Sequence, residues 1–170
     1  MVILYELALM KNLTLARSLL SVCATQMTSA KLIRPTYVGA GIVLVSPCRT
    51  RYLLLKGHSG IWSFPKGHTE FSDKNMPLRT ACRETYEETG FIAGIDYTIV
   101  GDYIRFGKRP YWVGIMHSDA MPCLAEREHS EAAWFTAEII GAMHINSDVR
   151  DWTKKRDRGF KQLASLPLQS

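Results

Sequence analysis

No uncharged apolar stretch in the sequence approaches the roughly 20 residues that a membrane-spanning helix requires, so no spanning segment and no membrane partner are expected. Paired cysteines are missing too. Cys23, Cys48, Cys82 and Cys123 stand far apart with no Cys-x-x-Cys unit, which indicates neither a zinc site nor a disulfide framework. A reducing, cytoplasmic compartment is the expectation. There is no low-complexity tract and no internal repeat, and the 170 residues suit one domain with a single core. Acid is scarce at the start of the chain. Before Glu70 the only carboxylate is Glu6, against eight Lys or Arg, within a formal net charge of +5. That asymmetry suits an anionic partner such as a nucleotide, a polyphosphate or RNA, although a solvated basic surface has the same composition.

Residues 1–35 read as an N-terminal extension, helical or dispensable, ahead of a domain over residues 36–165. Leu13, Leu15, Ala16, Leu19, Leu20 and Cys23 recur at roughly helical spacing, and a targeting peptide or a start at Met27 are the other readings. Tyr37 to Val45 is an uncharged, β-rich run of the kind buried on both faces of a sheet. Arg51 to Leu55 follows after a turn as its hairpin neighbour, and Ile61 to Phe64 reads as a short strand. A helix is predicted from Pro77 to Thr89, with Asp73 or Asn75 as its cap and Gly90 beyond its last turn. Leu78, Ala81, Cys82 and Thr85 share one side of it and should face the core. Strands are expected at Tyr97 to Phe106, Tyr111 to His117 and Ala132 to Phe135, with a loop from Asp119 to Ser130. A short helix capped by Thr136 and a last helix from Ser147 to Ala164 complete the pattern, which is that of an α/β layered domain around a mixed sheet.

The chemistry concentrates in the central helix. At 100° per residue Glu84, Glu87 and Glu88 occupy one arc opposite Leu78 and Cys82, and such neighbours stand about 5–6 Å apart, so their carboxylates can converge on one hard cation. A solvated acidic face is the alternative, since like-charge neighbours on an exposed helix cost only about 0.2–0.5 kcal/mol a pair. The trio alone leaves both open.

Its surroundings are more specific. Gly67 and Gly90 bracket the helix, and Arg83-Glu84-x-x-Glu87-Glu88-x-Gly90-Phe91 resembles the second half of the Nudix box, the loop–helix–loop signature of the Nudix hydrolases. The resemblance implies an α/β/α sandwich around a mixed sheet and hydrolysis of a phosphoanhydride bond with Mg²⁺ or Mn²⁺. It implies Glu87 and Glu88 as principal metal ligands, Glu84 as a further ligand or base, and Glu128 in the late loop as a ligand or water activator. Lys66 and Gly67 would meet substrate phosphate, and Arg83 would be braced by an acid. There the sequence departs from the family: Gly67 lies two residues too far upstream, so either Asp73 or Glu70 takes the place of the first box glutamate. Glu131 is a second acid of the late loop, and His129 reads as a loop residue rather than a ligand.

Trp62-x-x-Pro65-Lys66-Gly67-His68-x-Glu70 looks like the asymmetric dinucleoside tetraphosphate hydrolases. Trp62-x-Phe64-Pro65-Lys66-Gly67 and Tyr86 to Phe91 equally resemble mRNA-decapping members, and diphosphoinositol polyphosphate hydrolases carry a related turn. The expected partner is thus a small polyphosphate or nucleotide, or RNA if the chain decaps. Tyr103, Phe106, Tyr111 and Trp112 are the aromatic candidates for stacking on a base, each also a plausible core residue. Arg150, Lys154, Lys155, Arg156, Arg158 and Lys161 could contact RNA, but Asp148, Asp151 and Asp157 dilute them and favour a solvated face. A non-catalytic nucleotide-binding module is the reading from another class; such modules typically lose box carboxylates, and all three are present here.

Overall fold

The structure, a computed structural model, describes residues 37–124 and 127–159. The expected N-terminal extension, and Phe160 to Ala164 of the last helix, lie outside the described residues.

A seven-stranded mixed sheet forms the middle layer. Its strands are β1 (Gly39–Val45), β2 (Arg51–Gly57), β3 (Trp62–Ser63), β4 (Lys66–His68), β5 (Tyr97–Phe106), β6 (Arg109–Met116) and β7 (His129–Thr136). The helices are α1 (Pro77–Thr89), α2 (Ala137–Gly141) and α3 (Ser147–Gly159). The main strand order is β3-β2-β1-β6-β5, with β4 added to β1 and β7 to β2. Among the described strands β1 and β6 pair in parallel, and the other strand pairs are antiparallel.

All seven residues of β1 are buried, as an uncharged run at the centre of a covered sheet must be. The expected β1–β2 hairpin pairs at Val45 and Tyr52, after which β2 runs beside β7 along seven registered pairs. That pairing makes β7 longer than the sequence indicates, because Glu131 and His129 are drawn into it by β2.

On one face, Val43 and Val45 pack with Tyr52, Phe64, Tyr111, Val149 and Trp152. Trp152 is 1% exposed and meets Tyr52 and Phe64 edge-on at centroid distances of 4.7 and 5.4 Å. Burying such a ring contributes roughly 2–3 kcal/mol and fixes α3 to the sheet. Asp148 and Asp151 of α3, expected only to dilute its positive charge, tie it to the β5–β6 hairpin instead. Tyr111 Oη donates to Asp148 at 2.7 Å, and the Gly107 N–H to Asp151 at 3.0 Å.

Leu78 and Ala81 of α1 are buried but take no part in that cluster, and α1 packs on β1 and β6, so the helices lie on both sides of the sheet. Thr85 is buried with them, and Cys82 is half-buried. The cap of α1 differs from expectation. Met76 is the N-cap residue and makes no side-chain bond, because the Asp73 carboxylate is engaged elsewhere. Thr136 likewise precedes α2 without a capping bond. The other end of α1 is as expected: Gly90 takes φ 76°, the left-handed conformation that glycine adopts at no steric cost.

Candidate metal centre

Arg83 organises the acidic helix. Its Nε and one terminal nitrogen donate to the two oxygens of Asp73 at 3.1 and 3.0 Å, and that same nitrogen donates to the His68 carbonyl at 2.8 Å. The other terminal nitrogen reaches Glu87 at 2.8 Å and Glu84 at 3.0 Å. Asp73 is therefore the acid that braces Arg83, while the exposed Glu70 stays 3.6 Å away. The buried Asp73 carboxylate also accepts from Thr80 Oγ1 at 2.9 Å and from the Glu70 N–H at 2.8 Å. Burial works to raise its pKa, but the bonds from Arg83, Glu70 and Thr80 outweigh it and hold the group below the usual carboxylate range.

The Glu84 carboxylate lies against the backbone of Gly67, and a Cβ at Gly67 would fall on it. Burial pushes the pKa of Glu84 up to about 7, with Arg83 opposing and Glu87 and Glu88 adding to the rise. The folded protein thus holds this proton more tightly than the unfolded chain, whose ordinary value is 4.5, and its stability falls as pH rises between those values. Glu84→Gln should raise the stability of the metal-free protein at pH 8 by roughly 1–3 kcal/mol, a gain that disappears near pH 4. Thermal melts in a chelator at the two pH values check it; a gain independent of pH would contradict the assignment.

Glu88 sits apart from the arginine. It is 4% exposed, accepts from the Lys66 N–H at 3.0 Å through Oε2, and turns Oε1 to within 3.0 Å of His129 Nε2. Glu88, the exposed Glu128 and the buried His129 each offer a ligand atom, all within 4.8 Å of one another. These are donors suited to a divalent cation: two carboxylates and an imidazole, with other acids on the same helix arc. Glu87, by contrast, is half exposed and directed at Arg83.

Other expected residues are placed as follows. Lys66 contributes its backbone N–H, and Gly67 provides the close approach that seats Glu84. Glu131 points away, into an ion pair with Lys56 at 2.8 Å. Phe106 and Tyr111 are core residues, 2% and 1% exposed, because alternation along their strands turns them toward α3; neither is available to a base. Trp112 is buried as well, and only Tyr103, tilted against it at 5.7 Å, is partly exposed. His129, read from the sequence as a loop residue rather than a ligand, instead opens β7 and lies beside Glu88 and Glu128. Its visible signal is adjacency to Glu128, but its burial depends on where β7 begins, which residue spacing does not reveal.

An acidic helix seated on a Pro-Lys-Gly strand, with helices on both faces of a mixed sheet, defines an α/β domain whose site presents donors of the kind a divalent cation takes. Residues 35–155 match the NUDIX domain, and the chain belongs to that family. It is 34% identical over 93 residues to the Bis(5'-nucleosyl)-tetraphosphatase [asymmetrical] of Sus scrofa, a match that takes in 49% of this chain and 62% of the pig protein. The chain thus spans less than two-thirds of that relative's length. Its fold is similar to that of a C. elegans Ap4A hydrolase binary complex, with a TM-score of 0.63 at 22% identity over 75% of this chain and 99% of that one. A Nudix hydrolase from M. Smegmatis is also similar, with a TM-score of 0.60 at 16% identity over 79% and 90% of the two chains.

Proposed function

We propose that the chain is a divalent-metal-dependent pyrophosphohydrolase that cleaves a phosphoanhydride bond in a nucleoside diphosphate linked to another moiety, with a dinucleoside polyphosphate as its preferred substrate class. The observation that carries this reading is the convergence of Glu88 and Glu128 beside the Lys66–Gly67 strand, with Glu84 and Glu87 on the same helix arc. Glu84, Glu87, Glu88 and Glu128 would hold Mg²⁺ or Mn²⁺, which when bound neutralises phosphate charge and activates water. Arg83, fixed by Asp73, sets the rotamers of Glu84 and Glu87. Lys66 presents its ammonium to the polyphosphate, and Glu84 or Glu128 takes a proton as water adds to phosphorus and the bridging oxygen departs. Residues 36–165 form the catalytic domain in this reading, and its place is the cytoplasm.

The substrate class follows the Trp62 to Glu70 run and the name of the pig relative. One panel tests it: dinucleoside tetraphosphate, capped RNA, a diphosphoinositol phosphate and an oxidised nucleoside triphosphate, each with Mg²⁺ or Mn²⁺. The expected result is fastest turnover of the dinucleoside tetraphosphate. Faster decapping would move the assignment to RNA, and tight binding without turnover of any compound would make the chain a binding module.

Gly67→Ala is a sharp probe of the same site. The added methyl meets the far end of the Glu84 side chain rather than backbone, so folding should survive with stability changed by about 1 kcal/mol or less, while kcat/KM falls by roughly tenfold or more as Glu84 is displaced. Thermal melts and steady-state rates on one preparation check both halves; unchanged rates would show that the seating of Glu84 does not matter.

A further inference from the structure

His129 is buried to 8% exposure at the first position of β7, yet neither ring nitrogen has a hydrogen-bond partner. Its Nε2 lies 3.0 Å from Glu88 Oε1, close but without hydrogen-bond alignment. A buried polar ring left in that state is costly unless something else occupies its lone pair. Glu88 is not free to turn toward it, because Oε2 is held by the Lys66 N–H. Glu128, from the residue next in sequence, brings a second carboxylate to the same point.

We infer that His129 is a nitrogen ligand of the cation held by Glu88 and Glu128. The inference rests on the metal reading above and sharpens it. A site of carboxylates alone suits Mg²⁺ and Mn²⁺ alike, whereas an imidazole adds a borderline donor that favours first-row transition ions over Mg²⁺, least for Mn²⁺ and more for Co²⁺ and Zn²⁺. The chain's discrimination among divalent ions then comes from the start of β7 as well as from the helix. A positioning role, with His129 merely steering Glu88, is the competing account and predicts no metal–nitrogen bond.

Pulsed electron paramagnetic resonance of Mn²⁺ added to the metal-free, full-length chain separates them. The expected spectrum shows ¹⁴N coupling that changes to the ¹⁵N pattern on labelling histidine with ¹⁵N, a readout that needs no variant and no turnover. The chain has five histidines, so the coupling is assigned by substitution: it should vanish in His129→Gln and persist in His68→Gln, where the side chain is exposed. By calorimetry, His129→Gln should weaken Mn²⁺ binding by about tenfold or more and Mg²⁺ binding by less than about threefold. Bound Mn²⁺ with no histidine coupling, or coupling that survives His129→Gln, overturns this inference and leaves the carboxylate site standing. Failure to bind Mn²⁺ at all overturns both.

Discussion

Glu88→Gln is expected to lower kcat/KM for a dinucleoside polyphosphate by about a thousandfold or more, roughly 4 kcal/mol of lost transition-state stabilisation. The substitution keeps the shape of the side chain and an oxygen for the Lys66 N–H, but removes the charge at the most buried carboxylate of α1. The fold should tolerate it, since a neutral amide at 4% exposure is easier to bury than an anion. Steady-state kinetics together with melting in a chelator measure the two effects. Activity within about tenfold of the native chain, with folding intact, would remove Glu88 from the centre of the account.

Asp73→Ala should act on stability, by about 3–5 kcal/mol, or a fall in Tm of roughly 10–20 °C. Asp73 is 3% exposed and Arg83 is 18% exposed, so removing the acid takes away the guanidinium's buried two-oxygen partner, leaving it Glu84, Glu87 and the His68 carbonyl, and deprives the Thr80 hydroxyl and the Glu70 N–H of their acceptor. Because the folded Asp73 has a lowered pKa, its contribution is full above its ordinary value of 3.8 and is lost as pH falls through the lower folded value. The native chain and the variant should therefore converge in acid. In an Arg83→Met background the same substitution should cost distinctly less, since no buried cation is then left behind. Equal costs in the two backgrounds would show that Asp73 acts through its other bonds.

The sheet and the helix were legible where local pattern and tertiary need agree. Within the uncharged run from Tyr37 to Val45, the seven residues that form β1 are all buried, and Gly90 ends α1 at positive φ. The entry to α1 was not legible. The two residues by which Gly67 lies too far upstream are absorbed in a single turn at Phe71–Asp73, after which Lys74 and Asn75 take φ values of 52° and 56°. That turn returns Asp73 to Arg83, which is why it cannot cap the helix and why Glu70 meets the arginine only from the exposed side, at 3.6 Å. Sequence distance alone could not say which acid returns. The strand β4 was hidden for a similar reason: its three residues, one of them glycine, have little β character and are extended because β1 pairs with them.

Within the site, helical period placed three carboxylates on one arc but could not divide them among partners. Arg83 gathers Glu84 and Glu87, while the Lys66 N–H holds Glu88 and His129 lies 3.0 Å from it without a hydrogen bond. His129 reads as a loop residue from sequence because its burial depends on the pairing of β7 with β2, including a register shift after Lys56. No short-range pattern encodes that shift.

The most direct measurement is turnover of a dinucleoside tetraphosphate by the chain stripped with a chelator and then titrated with Mg²⁺ or Mn²⁺. The account predicts no turnover in the chelator and full recovery as the cation is returned, with Glu88→Gln requiring far more of it. Turnover that persists in the chelator, or none at any cation concentration, would contradict it.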